Sequence, residues 1–125
     1  MNRKKGFSFW RIVAALLVLH IELTSVAALA VEATVSQILV SPTAFDGQHV
    51  TVSGTAQFAR PRTSRKGNDY ETFSLCEQAC VNVFTWGHPH VAEDKRLTVS
   101  GTFQAVKHVG RYTVHNEIDA DESSL

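Results

Sequence analysis

Two stretches of the chain alternate apolar and polar residues, His49–Phe58 and Arg96–Ala105. Each carries the same word: Thr51-Val52-Ser53-Gly54-Thr55 returns as Thr98-Val99-Ser100-Gly101-Thr102. A period of two predicts strands with one buried face. A glycine inside such a strand marks a bend, a bulge or a close backbone approach. Two long strands with Gly54 and Gly101 on the inward parity predict a small barrel with sharply curved walls. On the first, His49 to Ala59, the residues Val50, Val52, Ala56 and Phe58 share the inward face with Gly54.

The other elements follow from the same patterning. Thr34-Val35-Ser36-Gln37 fits a capping box, with Val35, Ile38 and Leu39 on one face of a short helix. Ser41-Pro42 ends or restarts that helix, and Phe45-Asp46-Gly47 is a turn. Arg60 to Asp69 has no periodicity and predicts an exposed loop. A second strand is expected over Tyr70–Cys76, with Phe73 and Leu75 inward. A third is expected over Cys80–Trp86, with Val81 and Val83 inward. Gly87 to Lys95 predicts a loop, Leu97 to Lys107 a fourth strand and His108-Val109-Gly110 a tight turn. The fifth strand runs to about Ala120 with Val114 and Ile118 in the core, and residues 121–125 are expected to form a solvated acidic tail.

The first thirty residues change the picture. A basic start (Arg3, Lys4, Lys5, Arg11), the apolar run Ile12–Leu19 and the small residues of Ala28-Leu29-Ala30 predict a signal peptide over 1–30. An uncleaved anchor is the alternative, although His20 and Glu22 interrupt the apolar run. Cleavage leaves 95 of the 125 residues, one domain over 31–120 plus the tail. It also converts a net charge of zero into −3, with eight basic residues against eleven acidic ones. That balance excludes a generally basic nucleic-acid binder and requires any anion site to arise from local clustering. The expected location is periplasmic or secreted, with no stable membrane span after cleavage.

Five strands, a short helix and a long first connection resemble the oligonucleotide/oligosaccharide-binding (OB) barrel, a five-stranded Greek-key fold. More narrowly, Asp46 to Gly54, Tyr70 to Leu75, Val81-Asn82-Val83 and Glu93 to Gly101 resemble the exported bacterial OB-fold proteins. The chain departs from them in its Cys76-Glu77-Gln78-Ala79-Cys80 hairpin and its basic first loop. The resemblance implies an all-β, exported binding or stress-related module, and it brings no catalytic residues.

Among candidate chemistries, Cys76 and Cys80 flank a hairpin turn at a spacing that antiparallel strands bring within disulfide reach. Export favours that bond. A redox pair lacks the Cys-x-x-Cys spacing. A zinc site joining the cysteines to His88 and His90 would have to span roughly 20 Å of extended chain. Arg60, Arg62, Arg65 and Lys66 on the first loop, with Lys107, His108 and Arg111 around the last turn, would flank the usual cleft of an OB fold. Tyr70, Phe84 and Trp86 on the outward parity would supply stacking surfaces between them. The alternative is a merely solvated loop over covered rings. His88-Pro89-His90, with Glu93 or Asp94, has the makings of a metal chelate or of a polar turn. The His108 and Tyr112 spacing resembles the pair of the periplasmic haem chaperones, but Gly110 sets it in a hairpin, outside that pattern.

No nucleophile elbow, phosphate-cradling loop or paired carboxylates appear. The expected function is therefore non-catalytic and without a cofactor: binding of an anionic small molecule, an oligosaccharide, a protein segment or single-stranded nucleic acid. An envelope interaction module and a metal- or haem-handling protein are the alternatives.

Overall fold

The computed structural model describes residues 29–125; most of the expected signal segment lies outside the described residues. The chain forms β1 (Val31–Glu32), α1 (Val35–Val40), α2 (Pro42–Phe45), β2 (His49–Thr63), β3 (Asp69–Cys76), β4 (Cys80–Trp86), β5 (Arg96–Val109) and β6 (Tyr112–Ala120), then a 3-10 turn, Glu122–Ser124. Among the described residues the fold is all-β with two short helices. No helix among the described residues is long and apolar enough to cross a membrane.

Both helices begin where the sequence marks them. Thr34 Oγ1 accepts from the Gln37 amide at 3.1 Å, and the Thr34 amide donates to Gln37 Oε1 at 2.9 Å, which satisfies two otherwise free groups of α1. Pro42 then opens α2, because its missing N–H and fixed φ suit a first helical turn. Val35 and Ile38 seal the core from one side.

The strands pair in the order β1-β2-β3-β4-β6-β5, and β5 pairs back onto β2. Five strands thus run around a ring, and β1 is a short addition parallel to β2 that the sequence reading lacked. The ring is thinnest between β4 and β6, where three residue pairs run in parallel. Its interior holds Val50, Val52, Ala56, Phe73, Leu75, Val81, Val83, Val99, Phe103 and Ile118.

The repeated word explains the β2–β5 seam, since the Thr-Val-Ser of one copy pairs with the Thr-Val-Ser of the other. Thr51 faces Ser100, Val52 faces Val99 and Ser53 faces Thr98, in local two-fold symmetry about the valine pair. The outward hydroxyls bond across the ladder, Thr51 Oγ1 to Ser100 Oγ at 2.9 Å and Ser53 Oγ to Thr98 Oγ1 at 2.7 Å. The glycines mark close approach. A Cβ on Gly54 would lie 2.9 Å from the Cys76 carbonyl oxygen, and one on Gly101 would overlap the Asp119 carbonyl and lie 2.7 Å from Ala120 Cα. Each glycine therefore lets the seam press against a further strand, β3 at one and β6 at the other.

Bulges overturn several expectations. Phe58 is 66% exposed rather than inward, because its backbone is left-handed (φ 57°) and the β2–β3 register shifts between Gln57 and Arg60. A bulge inserts one residue and reverses the faces beyond it. The expected Arg60–Asp69 loop is mostly strand, with Arg60 opposite Thr72, Arg62 opposite Tyr70, and a turn only at 64–68. In β6 no residue is inserted, but the left-handed Asn116 (φ 52°) leaves the ladder without its 105–116 pair, and Val114 is half-buried at the surface instead of in the core. The last residues are docked rather than solvated. His49 Nε2 and Asp121 Oδ2 meet at 2.6 Å, Ser124 Oγ donates to the Ser100 carbonyl, and Leu125 packs against the core.

Cys76 and Cys80 are bonded to each other as a closing pair of the β3–β4 hairpin. Cys76 is buried, although alternation from Phe73 and Leu75 would turn it outward, while Cys80 is exposed.

Candidate functional site

Outward-facing side chains of β3 and β4 form the floor of an open groove of about 910 Å³. The end of β2 and the turn after it border it through Arg62 and Ser64, and the β5–β6 hairpin borders it through Lys107, Val109, Tyr112, Thr113 and Val114. Both hairpins thus serve one groove.

Three rings project from this floor because period-two alternation puts them on one face. Tyr70 stands opposite Trp86 in the ladder, with Phe84 two residues along β4. Tyr70 and Phe84 stack at 5.4 Å between centroids, and Phe84 meets Trp86 edge-on at 5.0 Å. Trp86 is 51% exposed and Tyr112, on the facing hairpin, 76%. The cluster is therefore open to a ligand.

Of the expected site residues, Arg62, Tyr70, Phe84, Trp86 and Lys107 line the groove. Arg60, Arg65, Lys66, His108 and Arg111 are exposed and stand outside its lining. Arg65 and Lys66 occupy the β2–β3 turn, while His108 and Arg111 flank Gly110, where His108 Nδ1 meets Thr113 Oγ1 at 3.2 Å. Among the described residues, Arg60, Arg62, Arg65, Lys66 and Arg111 make no ion pair.

Lys107 behaves differently. Its Nζ donates to Glu117 Oε1 and to Asp119 Oδ1, each at 2.8 Å, and lies 4.4 Å from the Phe84 ring centroid. Gln104 Nε2 donates to the second Asp119 oxygen at 2.9 Å. One cation is thus shared by two carboxylates, and the floor of the groove is not basic. Burial alone would lower the Lys107 pKa, but hydrogen bonds to Asp119 and Glu117 outweigh it and leave the group above the ordinary lysine value. Burial pushes the Glu117 carboxyl up, the neighbouring Asp119 adds to this, and Lys107 pulls against both.

These shifts have a sign. The folded protein holds the Glu117 proton more tightly than the unfolded chain does. Stability from that group is present below the ordinary carboxylate value and is lost as the pH rises through the raised one. Melting temperatures measured across acidic pH should carry this component in the wild type and lack it in Glu117→Gln. Lys107 follows the same rule at the alkaline end, where its contribution disappears as the pH climbs through its raised value.

Glu117, Asp119, Thr72, Val109 and Tyr112 also line the groove, and alternation along the chain does not mark them. Lys107 stands opposite Val114, and its Nζ reaches along β6 past the left-handed Asn116, where the ladder lacks its 105–116 pair, to Glu117 and Asp119. Asparagine tolerates the left-handed backbone better than most residues, and that was the available signal.

Nor does the sequence mark Glu71. This carboxylate is 1% exposed and accepts the backbone amides of His90 and Val91, each at 3.0 Å. It holds the β4–β5 loop against the barrel end. The same loop is tied by Glu93 Oε1, which accepts from the Ala59 amide at 2.6 Å, and by His88 Nε2, which donates to the Arg62 carbonyl at 2.8 Å. The side chains of His88 and Glu93 are thus placed as loop fasteners, and His90 is held through its backbone amide. Among the described residues no three His, Cys, Asp or Glu side chains are grouped to hold a metal ion.

Fold and site together define an all-β ring protein with an open aromatic groove. No family model matches the chain, and no curated protein or solved structure matches it either.

Proposed function

We propose that this chain is an exported, non-catalytic binding module of the OB type that holds an extended anionic ligand across the groove, single-stranded nucleic acid foremost. The observation that carries the reading is the shared border: an exposed ring cluster lies between two hairpins that bear free cations. The placement matches the OB pattern, in which the face of the ring's second and third strands and the loops after its first and fourth strands take the ligand. Bases would stack on Trp86 and Tyr112 while phosphates meet Arg62, Arg65, Lys66 and Arg111. The intramolecular disulfide supports the exported location.

The test is fluorescence anisotropy of a labelled single strand over a salt series. Affinity should fall steeply with salt, and Arg62→Ala should reduce the slope by about one. Trp86→Ala should remove ~1–3 kcal/mol of stacking while the slope stays. Binding indifferent to salt and to both substitutions would reject the reading. The floor, where one cation is matched by two carboxylates, favours a second ligand, an uncharged oligosaccharide, whose binding would be insensitive to salt.

A further inference from the structure

We infer that the groove selects among single strands by base chemistry, favouring bases with an exocyclic amino group over thymine and uracil, and that Asp119, backed by Glu117, is the selecting group. This rests on the single-strand reading above and adds a preference that stacking and phosphate contacts do not supply. Every base offers a face to stack on, so rings alone are tolerant of sequence.

The inference follows from what the floor has left to offer. Lys107 is the cation of the groove floor, and it has three N–H bonds. Two are on Glu117 and Asp119, and the Phe84 ring lies beside its Nζ. Gln104 spends an amide N–H on Asp119 as well. Two of the three Lys107 N–H bonds and one Gln104 N–H are thus turned onto the carboxylates. Each carboxylate oxygen keeps further lone pairs, because it accepts from more than one direction. Asp119 lines the groove with its side chain 29% exposed, whereas that of Glu117 is only 8% exposed. A base arriving beside Phe84 therefore meets acceptors.

Cytosine, adenine and guanine present an amino group that can donate to Asp119. Thymine and uracil present two carbonyl oxygens on either side of one N–H, so acceptors face acceptors. The carboxylates are held in place before the ligand arrives, and neither must shed a free charge's water to take part. A phosphate would be repelled from the same spot, which leaves the backbone to the rim cations and directs the base inward.

The experiment compares oligo-dC, oligo-dT and oligo-dU of equal length on the wild-type protein, at mildly alkaline pH so that cytosine stays unprotonated. The deoxyuridine strand removes the thymine methyl from the comparison. Oligo-dC should bind about tenfold more tightly than either of the others, with the same salt slope for all three. Asp119→Asn, which places an amide donor where the acceptor stood, should bring the three affinities together without changing the slope. Equal wild-type affinities that still depend on salt would overturn the base selection and leave the binding function standing, as would tighter binding of oligo-dT. Failure of all three strands to bind would overturn both. The wild-type comparison decides the matter even where the variant does not fold.

Discussion

Replacing Gly101 by alanine should cost about 3 kcal/mol or more, a melting temperature lower by roughly 12–24 °C for a domain of this size. The reason is backbone against backbone. The new methyl would overlap the Asp119 carbonyl and stand 2.7 Å from Ala120 Cα, and neither is the end of a flexible side chain. β5 and β6 would have to separate at the pair Gly101–Ala120. That separation also draws on the docked C-terminal turn, whose Asp121 amide and Ser124 hydroxyl both donate to the Ser100 carbonyl. Gly54→Ala should be milder, because its closest approach, the Cys76 carbonyl oxygen at 2.9 Å, is a tight contact rather than an overlap, although Leu75 Cγ at 3.0 Å belongs to a buried side chain. Thermal melts of the two variants check the order. A Gly101→Ala protein as stable as the wild type would show that the β5–β6 seam has slack.

The second large effect is expected at Glu71. Truncation to alanine removes both acceptors of the His90 and Val91 amides and empties a buried position, a loss of ~2–4 kcal/mol given ~1.5–3 for a hydrogen bond to a charged group. The damage should be local before it is global. Hydrogen exchange at His90 and Val91 should accelerate, while amides of the β2–β5 seam remain protected. Glu71→Gln keeps the volume and one oxygen, so its loss should be smaller. Unchanged exchange in the β4–β5 loop of Glu71→Ala would mean that the Glu93 and His88 ties suffice.

Much of the fold is legible in the chain because local signals agree with the tertiary outcome. The boundaries of β4 come out as Cys80–Trp86 because a tight hairpin precedes it and Gly87 follows. Val81 and Val83 turn inward and Phe84 and Trp86 outward by simple alternation. The ring cluster of the groove was readable for the same reason. Alternation fails wherever an extra residue is inserted, and nothing local announces it at Phe58, a residue that disfavours a left-handed backbone. What holds that bulge is distant in sequence: Glu93 on the next amide, and the Asp94 amide on the Ala56 carbonyl. The charge of the groove was misread on similar grounds. Lys107 counts as a cation in the sequence, and only the fold reveals that Glu117 and Asp119 have already claimed it.

The self-pairing word has a consequence for how the seam tolerates exchange. Thr51 with Ser100 and Ser53 with Thr98 form a palindrome: either strand, read in its own direction, offers threonine, valine, serine to its neighbour. Transposing the members of either couple would therefore leave the bridging oxygens where they are. What tells the two strands apart is supplied by their surroundings, a disulfide-closed hairpin beside one and a docked chain end beside the other.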